Sequence, residues 1–480
     1  MKLAIFEWLV TLSLFGLIAR LAAVQIIDHN YYQTLARENR IKLVKIPADR
    51  GVIYDRSGKP LDRNAPEGRD YLLAEAGSNV LGYVGEGDQE IEGRDGLEKF
   101  YDERLKGEAG GILVETDTNG KVIREIGRSE PQPGENLTTT LDAGLQQKAY
   151  ELLSGRKGAL IASDPQSGEI LALVSSPGFK PGAIEKYLND PDLPLFNRAI
   201  SGAYPPGSTF KLVTATAALE ENKINAATQI EDTGVINIGP YSYSNWYFTQ
   251  YGRTEGSINI VAAIKRSNDI FFYRLGEMLG IRALADWAKW FGLGNQTGID
   301  LPGEAAGAMP DPEWKQAVRK ENWFLGDTLI AAIGQGDILM TPLQVNQMTG
   351  VIASAGQWCR SHLVSAKGGS ASGRDYCRQL DINPETIKLI TEGMVQVTQA
   401  GGTAWPFFNF SVSVAGKTGT AEYGDKTSAK GGLTHAWFTA FAPADNPNIV
   451  VTVLLEGAGE GSYEAAPVAK DLLSYWFSRQ

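Results

Sequence analysis

The sequence predicts an α+β protein: a helix-covered sheet domain behind a β-rich pedestal and an N-terminal transmembrane helix. Three observations carry this. Residues Leu3 to Ile27 are almost wholly apolar. Alternating or β-rich runs stand at both ends of residues 136–480, at Ala159 to Asp164 and Glu169 to Ser175, then at Phe410 to Gly416, His435 to Phe441 and Ile449 to Glu456. Between them lies a long, mostly helical middle from Ser208 to about Gly401. Strand pairs bracketing a helical insertion, closed by a helix over Ala465 to Phe477, describe an antiparallel sheet with helices plus an all-helical subdomain.

The chain has 480 residues with 43% hydrophobic content, enough for more than one core. Its formal net charge of −11 argues against nucleic acid as the main partner. Leu3 to Ile27 is interrupted by two charged residues, Glu7 and Arg20, and Arg20 can snorkel to a membrane face. A single anchor over residues 1–27 is the preferred reading. A cleaved signal peptide would need a small-residue site, for which Arg20-Leu-Ala-Ala-Val24 is a poor candidate; a core helix is the other alternative. Flanking charge leaves orientation open, since Lys2 precedes the segment and Arg37, Arg40, Lys42 and Lys45 come after it.

Residues 28–135 read as the pedestal. Asn30 to Arg40 has the pattern of a short amphipathic helix, and Arg50-Gly-Val-Ile-Tyr-Asp-Arg-Ser-Gly-Lys59 that of a strand and turn. Ile112 to Asp117 and Lys121 to Ile126 flank Asn119-Gly120, a type I′ hairpin signal. Pro131-Gln-Pro-Gly-Glu135 is the linker into the domain of residues 136–480. There Asp142 to Leu153 is helical, and Pro165-Gln-Ser-Gly168 joins two strands at a sheet edge. Tyr241, Tyr243, Trp246, Tyr247, Phe248 and Tyr251 form an aromatic cluster that either packs a loop or lines a substrate groove. Cys359 and Cys377 flank a Gly/Ser-rich stretch and could close a small loop in an oxidising compartment. His29, His362 and His435 are too scattered to suggest a metal site.

The chemistry centres on Tyr204-Pro-Pro-Gly-Ser-Thr-Phe-Lys211. The Pro-Pro-Gly turn launches an apolar helix, which places Ser208 at its N-terminus, where free N–H groups favour developing negative charge. Lys211, three residues on, shares that helical face. A serine hydroxyl needs a base, and a lysine in a dry pocket can serve. Ser-x-x-Lys alone arises about once or twice by chance in a chain of this length, and Ser154-Gly-Arg-Lys157 is such a match, read as a helix C-cap. Two downstream motifs distinguish Ser208. Ser267-Asn268-Asp269 lies in the helical stretch Ile258 to Gly280, and Lys417-Thr418-Gly419-Thr420 ends the strand Phe410 to Gly416. The ordered set marks serine acyl transfer.

In that reading Ser208 is the nucleophile, Lys211 the base and Ser267 a hydroxyl relay. The N–H groups of Ser208 and Thr420 make the oxyanion hole. Asp269 accepts from a substrate amide. Lys417, Thr418 and Thr420 take a substrate carboxylate, and Gly419 leaves room for an extended peptide beside the strand.

These motifs resemble those of the class B penicillin-binding proteins, the D,D-transpeptidases that cross-link bacterial peptidoglycan. Ala19 to Gln25, Asp49-Arg-Gly-Val-Ile-Tyr-Asp-Arg56, Gly93-Arg-Asp-Gly-Leu-Glu98 and Leu105-Lys-Gly107 look like the family's anchor exit and pedestal. Thr139-Thr-Leu-Asp142, Asn197-Arg-Ala-Ile-Ser-Gly202 and Ala415-Gly-Lys-Thr-Gly-Thr-Ala421 look like its transpeptidase domain. His435-Ala-Trp-Phe438 before Phe441-Ala-Pro443 is closest to the elongation type, penicillin-binding protein 2. The resemblance implies D-Ala-D-Ala stem peptides as donor, acylation by β-lactams, and a membrane glycan polymerase of the elongation type as partner. It also implies a single-pass protein of the inner (cytoplasmic) membrane with its catalytic domain extracytoplasmic, and no cofactor. Asp269 stands where many relatives carry asparagine, although elongation-type relatives often carry the aspartate. The pedestal head between Asp55-Arg-Ser-Gly58 and Gly93 looks cut down. Some relatives hold zinc near the catalytic centre; no cysteine or histidine lies between Lys211 and Ser267, so no metal is expected. Two rivals remain. A β-lactamase or β-lactam sensor would not share the pedestal motifs, and a non-catalytic scaffold would not retain the serines and lysines.

Overall fold

The computed structural model describes residues 2–38, 40–65, 68–87, 91–117, 119–364, 376–424 and 433–479. The chain divides into two compact units, residues 1–51 with 103–135, and residues 52–102 with 136–480.

In the first unit, helix α1 (Lys2–Ala22) runs into a π-turn, Ala23–Ile27. Over Phe6–Ile27 it is long and apolar enough to cross a membrane, with a mean hydropathy of 2.0. A helix over His29–Glu38 comes next. Strands β1 (Ile41–Ile46), β2 (Gly110–Thr116) and β3 (Val122–Ser129) form an antiparallel sheet in that order. The hairpin joining β2 and β3 forms where expected, but its turn is not type I′. That type would centre the hydrogen-bonded turn on Asn119 and Gly120, whereas the Gly120 N–H donates to Asp117 O at 3.0 Å and so closes the turn, with Gly120 at φ 82°. The Asp117 carboxylate accepts from the N–H groups of Asn119 and Lys121, both at 2.9 Å, and so organises its own turn.

The second unit opens with short hairpins, Asp62–Ala65 with Gly68–Tyr71 and Tyr83–Glu86 with Ile91–Asp95. Buried Arg69 of the first hairpin pairs with Asp62 of the same hairpin at 2.7 Å and with Glu98 of the helical turn Gly96–Phe100 at 2.5 Å. This part of the unit packs directly against the sheet domain: Gln146 Nε2 donates to Ala76 O and Asn197 Nδ2 to Asn79 O.

Helix α2 (Ala143–Leu153) is capped by Asp142, which accepts from Leu145 N–H. Ser154 ends it in the left-handed conformation (φ 50°), its hydroxyl on Glu151 O, while Lys157 pairs with Asp192. The second Ser-x-x-Lys match is therefore a helix cap. Strands β4 (Gly158–Ser163) and β5 (Ile170–Ser176) form the predicted edge hairpin. The helical middle supplies α3 (Lys211–Glu220), α4 (Ile260–Arg266), α5 (Asp269–Trp290, kinked at Gly280), α6 (Leu325–Ala332), α7 (Pro342–Ala353) and α8 (Pro384–Val397). Strands β6 (Ala415–Tyr423), β7 (Leu433–Ala442) and β8 (Ile449–Leu455) and helix α9 (Ala465–Ser478) close the chain.

The five strands pair antiparallel in the order β5-β4-β8-β7-β6, so β5 and β6 are the edges. Helices α2 and α9 pack on the sheet from one side. On the other, α7 meets it through buried polar pairs: Thr349 Oγ1 with Thr439 Oγ1 at 2.7 Å, and Ser163 Oγ donating to Asn346 Oδ1 at 2.6 Å. Each of these hydroxyls finds a partner, so the layer costs little desolvation. Cys359 and Cys377 form a disulfide between two short paired strands; much of the Gly/Ser-rich stretch between them, residues 365–375, lies outside the described residues.

Two elements differ from expectation. The strand predicted over Phe410 to Gly416 begins at Ala415, and the Lys-Thr-Gly sequence lies in its middle. Gly416 and Gly419 each mark a close approach. A Cβ at Gly416 would lie 2.8 Å from the Phe438 ring. The helix predicted over Ile258 to Gly280 is likewise two helices, broken at Ser267, whose φ is 53°.

Candidate active site

Gly207–Thr209 form one 3₁₀ turn, and Lys211 is the first residue of α3. Ser208 therefore sits a turn ahead of the α-helix and not on its first residue. Gly207 takes φ 53°, and a Cβ there would lie 2.7 Å from Thr420 O. Only glycine lets the serine turn pass this close to the β6 backbone. Trp437 Nε1 holds the turn from beneath, donating to Pro205 O at 2.9 Å. Ser208 itself is half-buried.

Lys211 and Lys417 are both wholly buried. Lys211 Nζ donates to Asp269 Oδ1 at 2.6 Å and to Ser267 O at 2.7 Å, with Ser267 Oγ at 3.4 Å. Lys417 Nζ donates to Ser267 Oγ at 2.8 Å and to Thr418 O at 3.0 Å. The Ser267 hydroxyl thus bridges the two amines. Burial pushes the Lys211 ammonium below its usual pKa, and the Asp269 carboxylate works against that shift. Lys417 is held well below its usual value, by burial first and then by the Lys211 charge, with a smaller upward pull from Asp269.

The break at Ser267 is what turns its hydroxyl toward the lysines. Ser267 caps α4 in the left-handed conformation, and Asn268 caps α5 by accepting from Phe271 N–H at 2.9 Å. No local pattern in the sequence announces the brace behind this break. Buried Asp232 accepts through Oδ2 from Asn245 Nδ2, Asn268 Nδ2 and Glu255 N–H, each at 2.9 Å, and through Oδ1 from Gly234 N–H. Asn245 Oδ1 accepts in turn from Asp269 N–H at 3.1 Å. Within the aromatic cluster, Trp246 donates its backbone N–H to Asp269 Oδ2 and its indole N–H to Arg266 O. Trp246 packs edge-on against Tyr247 and Tyr251, and the Arg266 guanidinium lies over Trp246 and Tyr247. This part of the cluster packs, and Trp246 also steadies the site. Both Asp269 oxygens are engaged within the protein, whereas the sequence motif assigns this carboxylate to substrate.

On β6, Thr418 Oγ1 lies 2.7 Å from Thr403 Oγ1, and Thr420 Oγ1 accepts weakly from Gly461 N–H at 3.4 Å. A Cβ at Gly419 would meet Trp437 Cβ at 2.9 Å, Thr209 Cγ2 at 3.0 Å and Pro206 O at 3.2 Å. The space Gly419 leaves is thus filled by Trp437 of β7 and by Pro206 and Thr209 of the serine turn, which it lets pass close to β6. Thr403, Asp232, Asn245 and Gln335, whose amide reaches Thr420 O at 3.1 Å, are not evident from sequence. Only the Gly334-Gln335-Gly336 turn offers a local signal for any of them.

A nucleophile turn, two buried lysines sharing a serine hydroxyl, and a sheet edge converge at one place. Residues 158–474 match the penicillin binding protein transpeptidase domain. The chain belongs to this family. Residues 65–139 match the penicillin-binding protein dimerisation domain. The peptidoglycan D,D-transpeptidase MrdA of Acinetobacter baumannii is 31% identical over 587 aligned positions, covering 98% of this chain and 86% of that protein. Penicillin-binding protein 2 of Pseudomonas aeruginosa, solved in complex with WCK 5153, is 35% identical with a TM-score of 0.78, covering 90% of this chain and 96% of that one. A chain from a structure on the coordination of polymerization and crosslinking by a peptidoglycan synthase complex is 29% identical with a TM-score of 0.79, covering 100% of this chain and 99% of that one. This penicillin-binding protein is thus similar over nearly its whole length to the elongation type.

Proposed function

We infer that this chain is a peptidoglycan D,D-transpeptidase that cross-links stem peptides through an acyl-enzyme on Ser208. The observation that carries the reading is the Ser267 hydroxyl held between Lys211 and Lys417 beside the Ser208 turn. Ser208 Oγ attacks the carbonyl of the penultimate D-alanine and its proton passes to the Lys211 amine. The oxyanion of the tetrahedral intermediate lies between the N–H groups of Ser208 and Thr420. As the C–N bond breaks, Ser267 donates its hydroxyl proton to the departing D-alanine amine and is reprotonated from the lysines it bridges. The amine of an acceptor stem peptide then attacks the ester, and the peptide bond forms as Ser208 is released. β-Lactams acylate the same oxygen by opening their ring amide.

The terminal carboxylate of the donor is bound by the hydroxyls of Thr418 and Thr420, and Lys417, buried behind them, is favoured in its charged form as that carboxylate arrives. Asp269 acts on the substrate through Lys211. Anchoring by Phe6–Ile27 would set the catalytic unit outside the inner membrane, where the Cys359–Cys377 disulfide is stable. A glycan polymerase is the fitting partner, as in the synthase complex of the related chain.

The test is labelling with fluorescent penicillin. The label should attach to Ser208 and persist; Ser208→Ala should abolish it and Ser154→Ala should leave it intact. Release of the label with turnover would make the protein a β-lactamase. Labelling that survives Ser208→Ala would remove the nucleophile assignment.

A further inference from the structure

The two backbone donors assigned to the oxyanion hole come from different parts of the chain, one beside Gly207 and one on β6. Something has to fix the distance between them. The turn after α6 touches both. Gly334 O accepts from Gly207 N–H at 2.9 Å, next to Ser208, and a Cβ at Gly334 would lie 2.2 Å from Gly207 O. One residue on, Gln335 Nε2 donates to Thr420 O at 3.1 Å. The turn is itself rigid. Gly334 and Gly336 take φ 74° and 78°, and the N–H groups of Gly334 and Gln335 donate to Ala331 O and Ile330 O at the end of α6.

We propose that Gln335 is a positioning residue for acylation, its side-chain amide tying the Thr420 carbonyl to the Ser208 turn so that both oxyanion donors face one point. The inference rests on the transpeptidase reading above. Among the described residues, the edge strand β6 has no neighbouring strand on its outer side to hold it in place. Gly207 approaches Thr420 O closely but supplies no hydrogen bond to it, so among the described side chains the Gln335 amide is the donor that fixes this carbonyl. Fixing the carbonyl limits rotation of the Thr420 backbone, and with it the aim of the Thr420 N–H. Small misplacements of a reacting or stabilising group lower rates steeply.

The experiment measures acylation of the full-length protein by fluorescent penicillin over a concentration series, separating the noncovalent dissociation constant from the limiting acylation rate. Two variants are compared with wild type. Gln335→Ala removes the amide, and Gln335→Glu keeps the length while losing the donor. The limiting rate should fall about ten- to hundredfold in both, with the dissociation constant within about twofold. Thermal melting identifies a variant that fails to fold, and the near-isosteric Gln335→Glu carries the test should Gln335→Ala do so. A limiting rate within about twofold of wild type in a folded variant overturns the proposal. So does a faster rate, which would make the amide an obstruction at the strand edge, or a change confined to the dissociation constant. Wild-type protein that penicillin does not label at Ser208 would sink the transpeptidase reading instead, and the two failures are thereby distinct.

Discussion

Replacing Asp269 with asparagine should move the acid limb of acylation to lower pH. Lys211 must be neutral to take the Ser208 proton, and the Asp269 carboxylate 2.6 Å from its nitrogen favours the charged form. Even at the dielectric of bulk water, two unit charges at that separation interact by about 1.6 kcal/mol, or roughly fifteenfold in a protonation equilibrium. This is a floor, because Lys211 is wholly buried. Without the carboxylate the ammonium loses stabilisation, its pKa falls further, and more neutral amine is present at any pH below the limb. Asp269 pulls Lys417 the same way, so the direction does not depend on which lysine holds the shared proton. The assay is the second-order acylation rate with labelled penicillin from about pH 5 to 9 for both proteins. The ratio of Asp269→Asn to wild type should climb by about fifteenfold or more as pH falls through the wild-type limb. A pH-independent loss would report only altered packing near Trp246. A flat or falling ratio would refute Lys211 as a base tuned by Asp269.

Two other substitutions test the frame around the site. Gly419→Val drives a branched side chain into Thr209 and Pro206 O, so it should separate the Ser208 turn from β6 and cut acylation by about a hundredfold or more; Gly419→Ala should lose less, and equal rates in all three proteins would show that the contact is not tight. Asp232→Ala leaves four donors without their acceptor and should destabilise the unit by roughly 3 kcal/mol or more, read by urea unfolding; a cost below about 1 kcal/mol would mean that water replaces the carboxylate.

The sheet strands were legible because β4, β5, β7 and β8 are short, mostly apolar runs bounded by turns, a pattern that a doubly covered sheet imposes on sequence. The proposed catalytic positions stand out as short motifs for a related reason: Ser208 and Lys211 are bound to one turn of chain, and Lys417 to Thr420 to one strand. The break at Ser267 was hidden. Ile260 to Trp290 has helical periodicity on both sides of it, and nothing local marks Ser267 as left-handed. What breaks the helix is Asn268 and the carboxylate of Asp232, thirty-six positions earlier in the chain. The same holds for Gln335, which meets Thr420 across eighty-five positions. Periodicity reports which face is buried; it does not report which distant polar group will satisfy a cap.

Charge balance at the site connects its construction to its substrate. Two amines are buried around one hydroxyl, and Asp269 pairs with one of them, Lys211. Burying an unpaired ammonium is expensive, so the second lysine is pushed toward its neutral form, in keeping with the lowered pKa of Lys417. A ligand that brings its own carboxylate beside β6 changes this balance. It supplies a second anion, lets Lys417 hold its proton, and makes proton sharing through Ser267 favour a neutral Lys211. On the proposed mechanism, binding of the anionic end of a substrate would thus favour the neutral base at the other end of the same hydrogen-bonded chain. An asparagine at position 269 would leave both lysines short of an anion before substrate arrives. With aspartate, one pair is already balanced at rest, and the charge that the second lysine still needs is that of a peptide C-terminus or of the carboxylate that penicillin carries.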